Sequence, residues 1–157
     1  MTNNDILRSL RFIFDLPDNK AVELFSKDPN SMVDMNKTGF QGRIAKEDDD
    51  NFIDCNDVEL AAFLDGLIAQ KRGLREDQKI TPAITRLSKN DVLKKLRIAL
   101  NFREDDMLST LKSGGTTLSK SELSALFRKP DHKHYRSCGN QVLRNFLKGL
   151  SVKRTQS

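Results

Sequence analysis

The sequence contains no tryptophan, one tyrosine and only two cysteines in 157 residues. Two cysteines cannot form the disulfide framework of a small secreted domain, so we expect both thiols to be reduced and largely buried. No apolar run is long enough to cross a bilayer. Met1 is not followed by a basic and then apolar leader. We therefore expect a cytoplasmic protein with no membrane partner.

Recognisable catalytic and cofactor motifs are also missing. The sequence has no glycine-rich phosphate-binding loop, no established zinc-ligand spacing and no acid-base pair at a diagnostic spacing. No stretch alternates apolar and polar residues with a period of two, so strands are not expected. The sequence thus predicts an all-α protein with no cofactor, no metal and no assignable catalytic residue.

The chain does contain a tandem duplication. Asn4–Arg11 returns 86 residues later as Asn90–Arg97, with the same Asn-Asp start and the same apolar spacing. A second block, Lys46–Leu67, returns 83 residues later as Lys129–Leu150. Both ends of one unit therefore repeat in the same order, as expected for two copies of one structural unit.

The duplication divides the chain into a first helical repeat, a connector and a second, basic helical repeat. Their residues are 1–73, 74–87 and 88–157. One repeat alone would bury too small a fraction of its surface to be more than marginally stable. We therefore expect the two repeats to share one core, packed with internal pseudo-twofold symmetry.

Each repeat is predicted to contain about four helices. The first begins at a capping residue, Asn4 or Asp5 in repeat 1 and Ser88 or Asn90 in repeat 2. A third helix is clear only in repeat 2, where Ser119 to Glu122 form a capping-box sequence. The last helix is the longest, and Gly73 is expected to end it in repeat 1.

Both copies of this last helix hold a glycine at the same interior position, Gly66 and Gly149. Glycine inside a helix costs about 1 kcal/mol relative to alanine. A position filled twice by an unfavourable residue indicates a close approach of two helices. We interpret the pair as a contact between these two helices across the internal axis, with chance retention as the alternative.

With these elements in place, the chain resembles the YehS-like family, small bacterial cytoplasmic proteins built from a duplicated domain of unknown function. The resemblance covers nearly the whole chain and is carried by strings in both repeats, chiefly Asn4–Arg8, Phe63–Ile68, Asp91–Ala99 and Pro130–Lys133. It implies a fold and a duplicated architecture. It brings no catalytic or ligand-binding residues to this chain.

Charge is divided unevenly between the repeats. Residues 1–88 hold 12 basic and 16 acidic side chains, whereas residues 89–157 hold 15 and 6. The densest basic cluster precedes and follows the start of the last helix of repeat 2. Its candidate binding residues are Arg128, Lys129, His132, Lys133, His134, Tyr135, Arg136, Arg144 and Lys148. Such a cluster is typical of a surface that contacts an anionic partner.

Two functions fit this pattern. The favoured one is a non-enzymatic protein-interaction or regulatory binding module, whose protein partner the sequence does not identify. The alternative is binding of an RNA or DNA backbone through the basic second repeat, with His134 and Tyr135 stacking on unpaired bases. An uncharacterised enzyme at the interface between the repeats is the third candidate. A further interpretation needs no partner, because the basic residues can form a solvated face or pair with the acidic first repeat. The sequence favours no oligomeric state.

The same cluster raises two chemical hypotheses that we disfavour. His132, His134 and Cys138 offer three metal ligands, but their spacing matches no zinc signature and repeat 1 has no histidine at either position. A catalytic pair of Cys138 with a histidine needs an activated thiol. The equivalent Cys55 lies among aspartates, which would raise a thiol pKa, so the shared role of the two cysteines is packing.

Overall fold

The computed structural model describes residues 1–73 and 86–156. These residues form eight helices and no strand, and the chain divides into two compact units, Met1–Leu87 and Ser88–Ser157. The helices are α1 Asn3–Ile13, α2 Asp18–Leu24, α3 Lys37–Ile44, α4 Asp57–Arg72, α5 Lys89–Leu100, α6 Glu104–Ser113, α7 Lys120–Leu126 and α8 Asn140–Gln156. The predicted all-α class, with two repeats of four helices, is confirmed.

The predicted connector at residues 74–87 lies outside the described residues except for Arg86 and Leu87. The backbone N–H of Leu87 donates to Oδ2 of Asp57 at 3.0 Å, which ties the last residue of unit 1 to the start of α4. The repeat boundaries, the shared core and the pseudo-twofold symmetry stay predictions. None of the described helices has the length and apolar content needed to span a membrane.

The first helix of repeat 1 is capped by a residue that lies before the predicted Asn4 or Asp5, whereas the predicted cap Ser88 is confirmed in repeat 2. Thr2 is the N-cap of α1, and its hydroxyl accepts from the backbone of Asp5, whose carboxylate accepts from the backbone of Thr2 in return. Ser88 and Asp91 form the same capping box at α5. Capping of repeat 1 by Asn4 or Asp5 was therefore the wrong prediction, because Asn4 is buried and Asp5 is the third helical residue.

The third helix is present in both repeats. In repeat 1 it begins after Asn36, whose side chain accepts from the backbone N–H of Gly39 at 2.7 Å. Its two glycines hide the helical pattern in the sequence. In repeat 2, Ser119 and Glu122 form the predicted capping box of α7. Gly73 ends α4 as predicted, with a positive φ of 83° that favours glycine.

The cores of the two units differ at two of three equivalent positions. Three rings meet in unit 1, with the Phe25 ring centroid 6.1 Å from that of Phe40 and 5.1 Å from that of Phe63. At the equivalent positions of unit 2 the buried residues are Leu111, Leu123 and Phe146. Edge-on and tilted ring pairs of this kind add to the apolar burial that holds the helices of unit 1 together.

The repeated glycines mark a close helix contact inside each repeat. A Cβ added at Gly66 would lie 1.8 Å from the carbonyl oxygen of Leu24 in α2, and one added at Gly149 would lie 1.9 Å from that of Thr110 in α6. The predicted close approach is therefore confirmed. The interpretation that these glycines join α4 to α8 is wrong, since each faces the second helix of its own repeat.

Candidate functional site

The candidate site is built on a buried asparagine in the first helix of each repeat. In unit 2, Nδ2 of Asn90 donates to the carbonyl oxygens of Leu126 and Arg136, both at 2.9 Å, and Oδ1 accepts from the backbone N–H of Cys138 at 2.8 Å. These three bonds fasten both ends of the segment between α7 and α8. We call this set of three hydrogen bonds the asparagine clamp, and residues 128–138 of the segment the basic loop.

Repeat 1 uses the same clamp on its equivalent segment, residues 45–55, which we call the acidic loop. Nδ2 of Asn4 donates to the carbonyl oxygens of Arg43 and Ile53 at 2.9 and 2.8 Å, and Oδ1 accepts from the backbone of Cys55 at 3.0 Å. A buried side-chain amide is stable only when its hydrogen bonds are satisfied. The repetition of this asparagine therefore has a structural cause.

The two loops also share their internal turns. The backbone N–H of His132 donates to the carbonyl of Lys129 at 2.9 Å, and that of Asp49 donates to the carbonyl of Lys46 at 3.0 Å. Nδ1 of His132 accepts from the backbone of His134 at 3.0 Å, as Oδ1 of Asp49 accepts from the residue two places on at 2.8 Å. His132 thus has a turn-forming role that an aspartate fills in repeat 1.

Charge is what distinguishes the two loops. The acidic loop carries five carboxylates and one lysine, for a net charge of −4. The basic loop carries four cations and one carboxylate, for a net charge of +3 with neutral histidines. Two loops with the same backbone hydrogen bonds therefore carry opposite net charges in the two repeats.

Arg128, Lys129 and Tyr135 line one small cleft, whereas the other candidate residues lie elsewhere on the surface of unit 2. Arg128 and Tyr135 are half-buried. The remaining members of the predicted site are exposed, namely Lys129, His132, Lys133, His134, Arg136, Arg144 and Lys148. The cleft lies between the basic loop and the start of α5, and it brings in Lys94, which sequence reasoning missed.

Two of the predicted arginines are engaged within unit 2. Arg136 forms an ion pair with Glu122 of α7 at 3.3 Å, and both side chains are about half exposed, so the pair contributes little to stability. Arg144 donates to Gln141 within α8 at 3.1 Å rather than to the basic loop. The candidate residues of the basic loop therefore lie closer to one another than to the candidate residue Arg144 of α8.

The described residues include no group of three or more histidine, cysteine, aspartate or glutamate side chains positioned to hold a metal ion. The rings of His132 and His134 lie 5.7 Å apart between centroids. Nδ1 of His132 is already an acceptor in the loop turn.

Both cysteines are buried free thiols, as predicted, with 6% of Cys55 and 5% of Cys138 exposed. Burial raises the pKa of Cys55 to about 12, with a further contribution from the nearby carboxylate of Glu59. Burial also raises the pKa of Cys138, against the opposing effect of Lys89. Each thiol therefore stays protonated at neutral pH, where a thiolate would be needed for nucleophilic attack.

We expect Cys55 and Cys138 of the folded protein to react with iodoacetamide at pH 8 far more slowly than in urea. A pKa of about 12 leaves about one Cys55 thiol in 10⁴ ionised at that pH, whereas a free cysteine is roughly one quarter ionised. Mass spectrometry of the two cysteine peptides over time measures each rate. Alkylation of either cysteine in the folded protein as fast as in urea would contradict this assignment.

Comparison with known proteins gives the same two-part division. The family described as protein of unknown function (DUF1456) matches residues 3–73 and again residues 89–155. The chain is also 39% identical over 153 residues to the uncharacterized protein YehS of Escherichia coli strain K12, covering 98% of this chain and 96% of the relative. No solved structure matches the chain significantly. The resemblance seen in the sequence is therefore confirmed, and the chain belongs to the DUF1456 family, with two consecutive copies of its domain.

Proposed function

We propose that this protein is a non-enzymatic protein-interaction or regulatory module whose basic loop contacts an acidic surface of a partner protein. The observation that carries the proposal is the opposite charge of two loops with the same backbone hydrogen bonds. Because repeat 1 forms this loop with acidic side chains, the basic side chains of repeat 2 are not required for its fold. Charges without a folding role are suited to association.

The ion pairing of unit 2 supports this role. Lys129 and Lys133 form no ion pair with any residue in the described part of the chain. Among the same described residues, Arg136 forms an ion pair with the exposed carboxylate of Glu122, which solvent screens strongly. The basic loop therefore presents its positive charge to solvent, where it attracts an anionic surface.

The state of the thiols supports binding over nucleophilic catalysis. Cys55 and Cys138 occupy equivalent positions beside the asparagine clamps, and their backbone N–H groups are bonded to Asn4 and Asn90. Both thiols are buried and have raised pKa values. Packing under the loop accounts for both cysteines, so neither needs a catalytic role.

Nucleic acid is the second candidate partner, and the aromatic content of the basic loop favours it. Tyr135 lies in the same cleft as Arg128 and Lys129, which places an aromatic ring beside two cations. Proteins that bind single strands combine a basic surface with rings on which bases stack. The acidic loop has no comparable cation at the position of Arg128, where it has Ala45.

Reversing the basic loop tests the contact surface. We expect a quadruple variant, Arg128→Glu, Lys129→Glu, Lys133→Glu and Arg136→Glu, to lose at least roughly tenfold in affinity, since four favourable charges become unfavourable. Fluorescence anisotropy with a labelled 12-residue polyglutamate peptide, and separately with single-stranded RNA of 12 nucleotides, measures the loss at low and moderate salt. A steep log-linear fall with salt for RNA, without peptide binding, selects the second candidate.

The acidic loop provides the matched control on the same backbone. Glu47→Lys, Asp48→Lys, Asp50→Lys and Asp54→Lys reverse four charges and leave the turn-forming Asp49 in place. This control variant should retain or increase affinity for both probes. Equal binding by the wild type and the basic-loop variant, or no wild-type binding to either probe at low salt, would contradict the proposal.

A further inference from the structure

The cleft of unit 2 has a volume of about 130 Å³ and combines cations with rings. Lys94, Arg128 and Lys129 supply positive charge, and Phe127 and Tyr135 supply aromatic surface. We propose that this cleft binds one unpaired nucleotide of single-stranded nucleic acid, with the base against Tyr135 and a phosphate against the cations. The proposal rests on the second candidate function, nucleic-acid binding, and specifies its site.

The cations of the cleft are available to a phosphate. Lys94, Arg128 and Lys129 form no ion pair within the described part of the chain. Asp91, the one carboxylate among the described residues that line the cleft, accepts from the backbone of Ser88 at 3.0 Å as part of the α5 cap. Three unpaired cations around one carboxylate leave the cleft positive, which favours an anionic group.

The rings of Phe127 and Tyr135 give the cleft an apolar surface. The guanidinium carbon of Arg97 lies 4.7 Å from the ring centroid of Phe127 and covers one of its faces. The backbone N–H of Tyr135 donates to the carbonyl of His132 at 3.0 Å, which holds the backbone of Tyr135 in the loop turn. Its phenol makes no hydrogen bond to the residues that the structure describes. The half-buried ring of Tyr135 lines the cleft and offers a base a surface for stacking.

The size of the cleft selects an unpaired base. A cavity of about 150 Å³ encloses one benzene ring, so an open cleft of about 130 Å³ accepts part of one base and has no room for a base pair. Bases within a duplex are stacked on both faces and must leave the stack before a protein ring can reach them. A strand that is already unpaired enters without this cost.

Repeat 1 shows that the lining is not required by the fold. The equivalents of Arg128, Pro130 and Tyr135 are Ala45, Glu47 and Phe52. The clamp and the turns are the same in both repeats. Repeat 1 therefore keeps an aromatic ring but replaces one cation by a neutral residue and adds a carboxylate, which makes it a natural negative control.

The test compares Tyr135→Leu with Phe52→Leu, the same kind of change at the equivalent position of repeat 1. We expect Tyr135→Leu to weaken binding of single-stranded RNA about fivefold or more, because one stacking contact is lost. Its salt dependence should not change, since no charge is removed. The control variants Tyr135→Phe and Phe52→Leu should bind single-stranded RNA within about twofold of the wild-type affinity. Tyr135→Leu should also bind a duplex of the same sequence within about twofold of the wild-type affinity.

A second variant keeps the test decisive if leucine at position 135 disturbs the loop. Arg128→Ala introduces the residue that repeat 1 has there, and it should weaken single-strand binding and lower the salt slope by about one. Circular dichroism and urea midpoints establish that each variant is folded. Single-strand binding with equal affinities for Tyr135→Leu and Phe52→Leu would overturn the cleft site and leave nucleic-acid binding standing.

Two further outcomes also overturn the proposal. No binding of RNA by the wild type at low salt refutes nucleic-acid binding and the cleft site with it. Binding of free adenosine monophosphate that Tyr135→Leu abolishes, without binding of the strand, assigns the cleft to a free nucleotide instead.

Discussion

Replacing Gly149 by alanine lowers the free energy of unfolding by about 3 kcal/mol, the upper part of the range for overpacking a close contact. The new Cβ would lie 1.9 Å from the carbonyl oxygen of Thr110, which is backbone and cannot rotate away. Relief requires α8 to move off α6. Helix propensity alone predicts the opposite sign, a gain of about 1 kcal/mol. Urea denaturation of the wild type and of Gly149→Ala therefore distinguishes overpacking, which lowers the free energy of unfolding, from helix propensity, which raises it.

A second glycine, Gly114, lies in the same contact between α6 and α8 and provides an independent test of it. A Cβ at Gly114 would lie 1.7 Å from the carbonyl oxygen of Asn145 in α8, so Gly114→Ala should be costly for the same reason. Gly66→Ala tests the equivalent contact of repeat 1, against Leu24. Gly139→Ala is the control, because a Cβ there has no neighbour within 4 Å and alanine should cost about 1 kcal/mol or less. A more stable Gly149→Ala protein would refute the close contact.

The fold was largely predictable because the duplication repeats the helical pattern. Apolar spacing located the helices of both copies, and the two glycines revealed that a helix contact exists. The partner helix was not predictable, because Gly66 meets Leu24 across 42 positions in sequence and no periodicity encodes that distance. Helix α3 escaped clear detection in repeat 1 because its glycines are uncommon inside helices.

The asparagine clamp shows why a residue type can mislead. Asparagine before an apolar helical run is a common N-cap, which made Asn4 a reasonable cap from the sequence. Its actual bonds go to Arg43, Ile53 and Cys55, about 40 to 50 residues away. What distinguishes a clamp from a cap is burial, and burial depends on how the third helix and the loop pack.

Only part of the candidate site was visible in the sequence. Arg128, Lys129 and Tyr135 belong to one short segment, so composition alone grouped them. Lys94 joins the cleft from α5, on the turn that follows Asn90, and the side chain of Asn90 bonds this part of α5 to the loop. The role of His132 as a turn acceptor becomes clear from its comparison with Asp49.

The clamp leads to the second large effect, the loss of stability in Asn90→Asp. Aspartate has nearly the shape of asparagine but cannot donate from either oxygen when ionised. Its carboxylate would face the carbonyl oxygens of Leu126 and Arg136, where Nδ2 now donates at 2.9 Å. Two lost hydrogen bonds and a buried charge should lower the free energy of unfolding at pH 8 by about 4 kcal/mol. Urea denaturation measures this loss.

The pH dependence of the loss identifies its cause. Burial and the facing carbonyl oxygens raise the pKa of this new carboxyl in the folded state above its unfolded value, about 4. The protonated acid can donate to one carbonyl, so the penalty is smallest below about pH 4 and grows as pH rises through the folded pKa. Asn140→Asp makes the same change at an exposed site in the first turn of α8, where a negative charge is favourable, and should change stability by less than about 0.5 kcal/mol. A penalty for Asn90→Asp that is equal at pH 4 and pH 8 would mean that charge at the clamp is not its source.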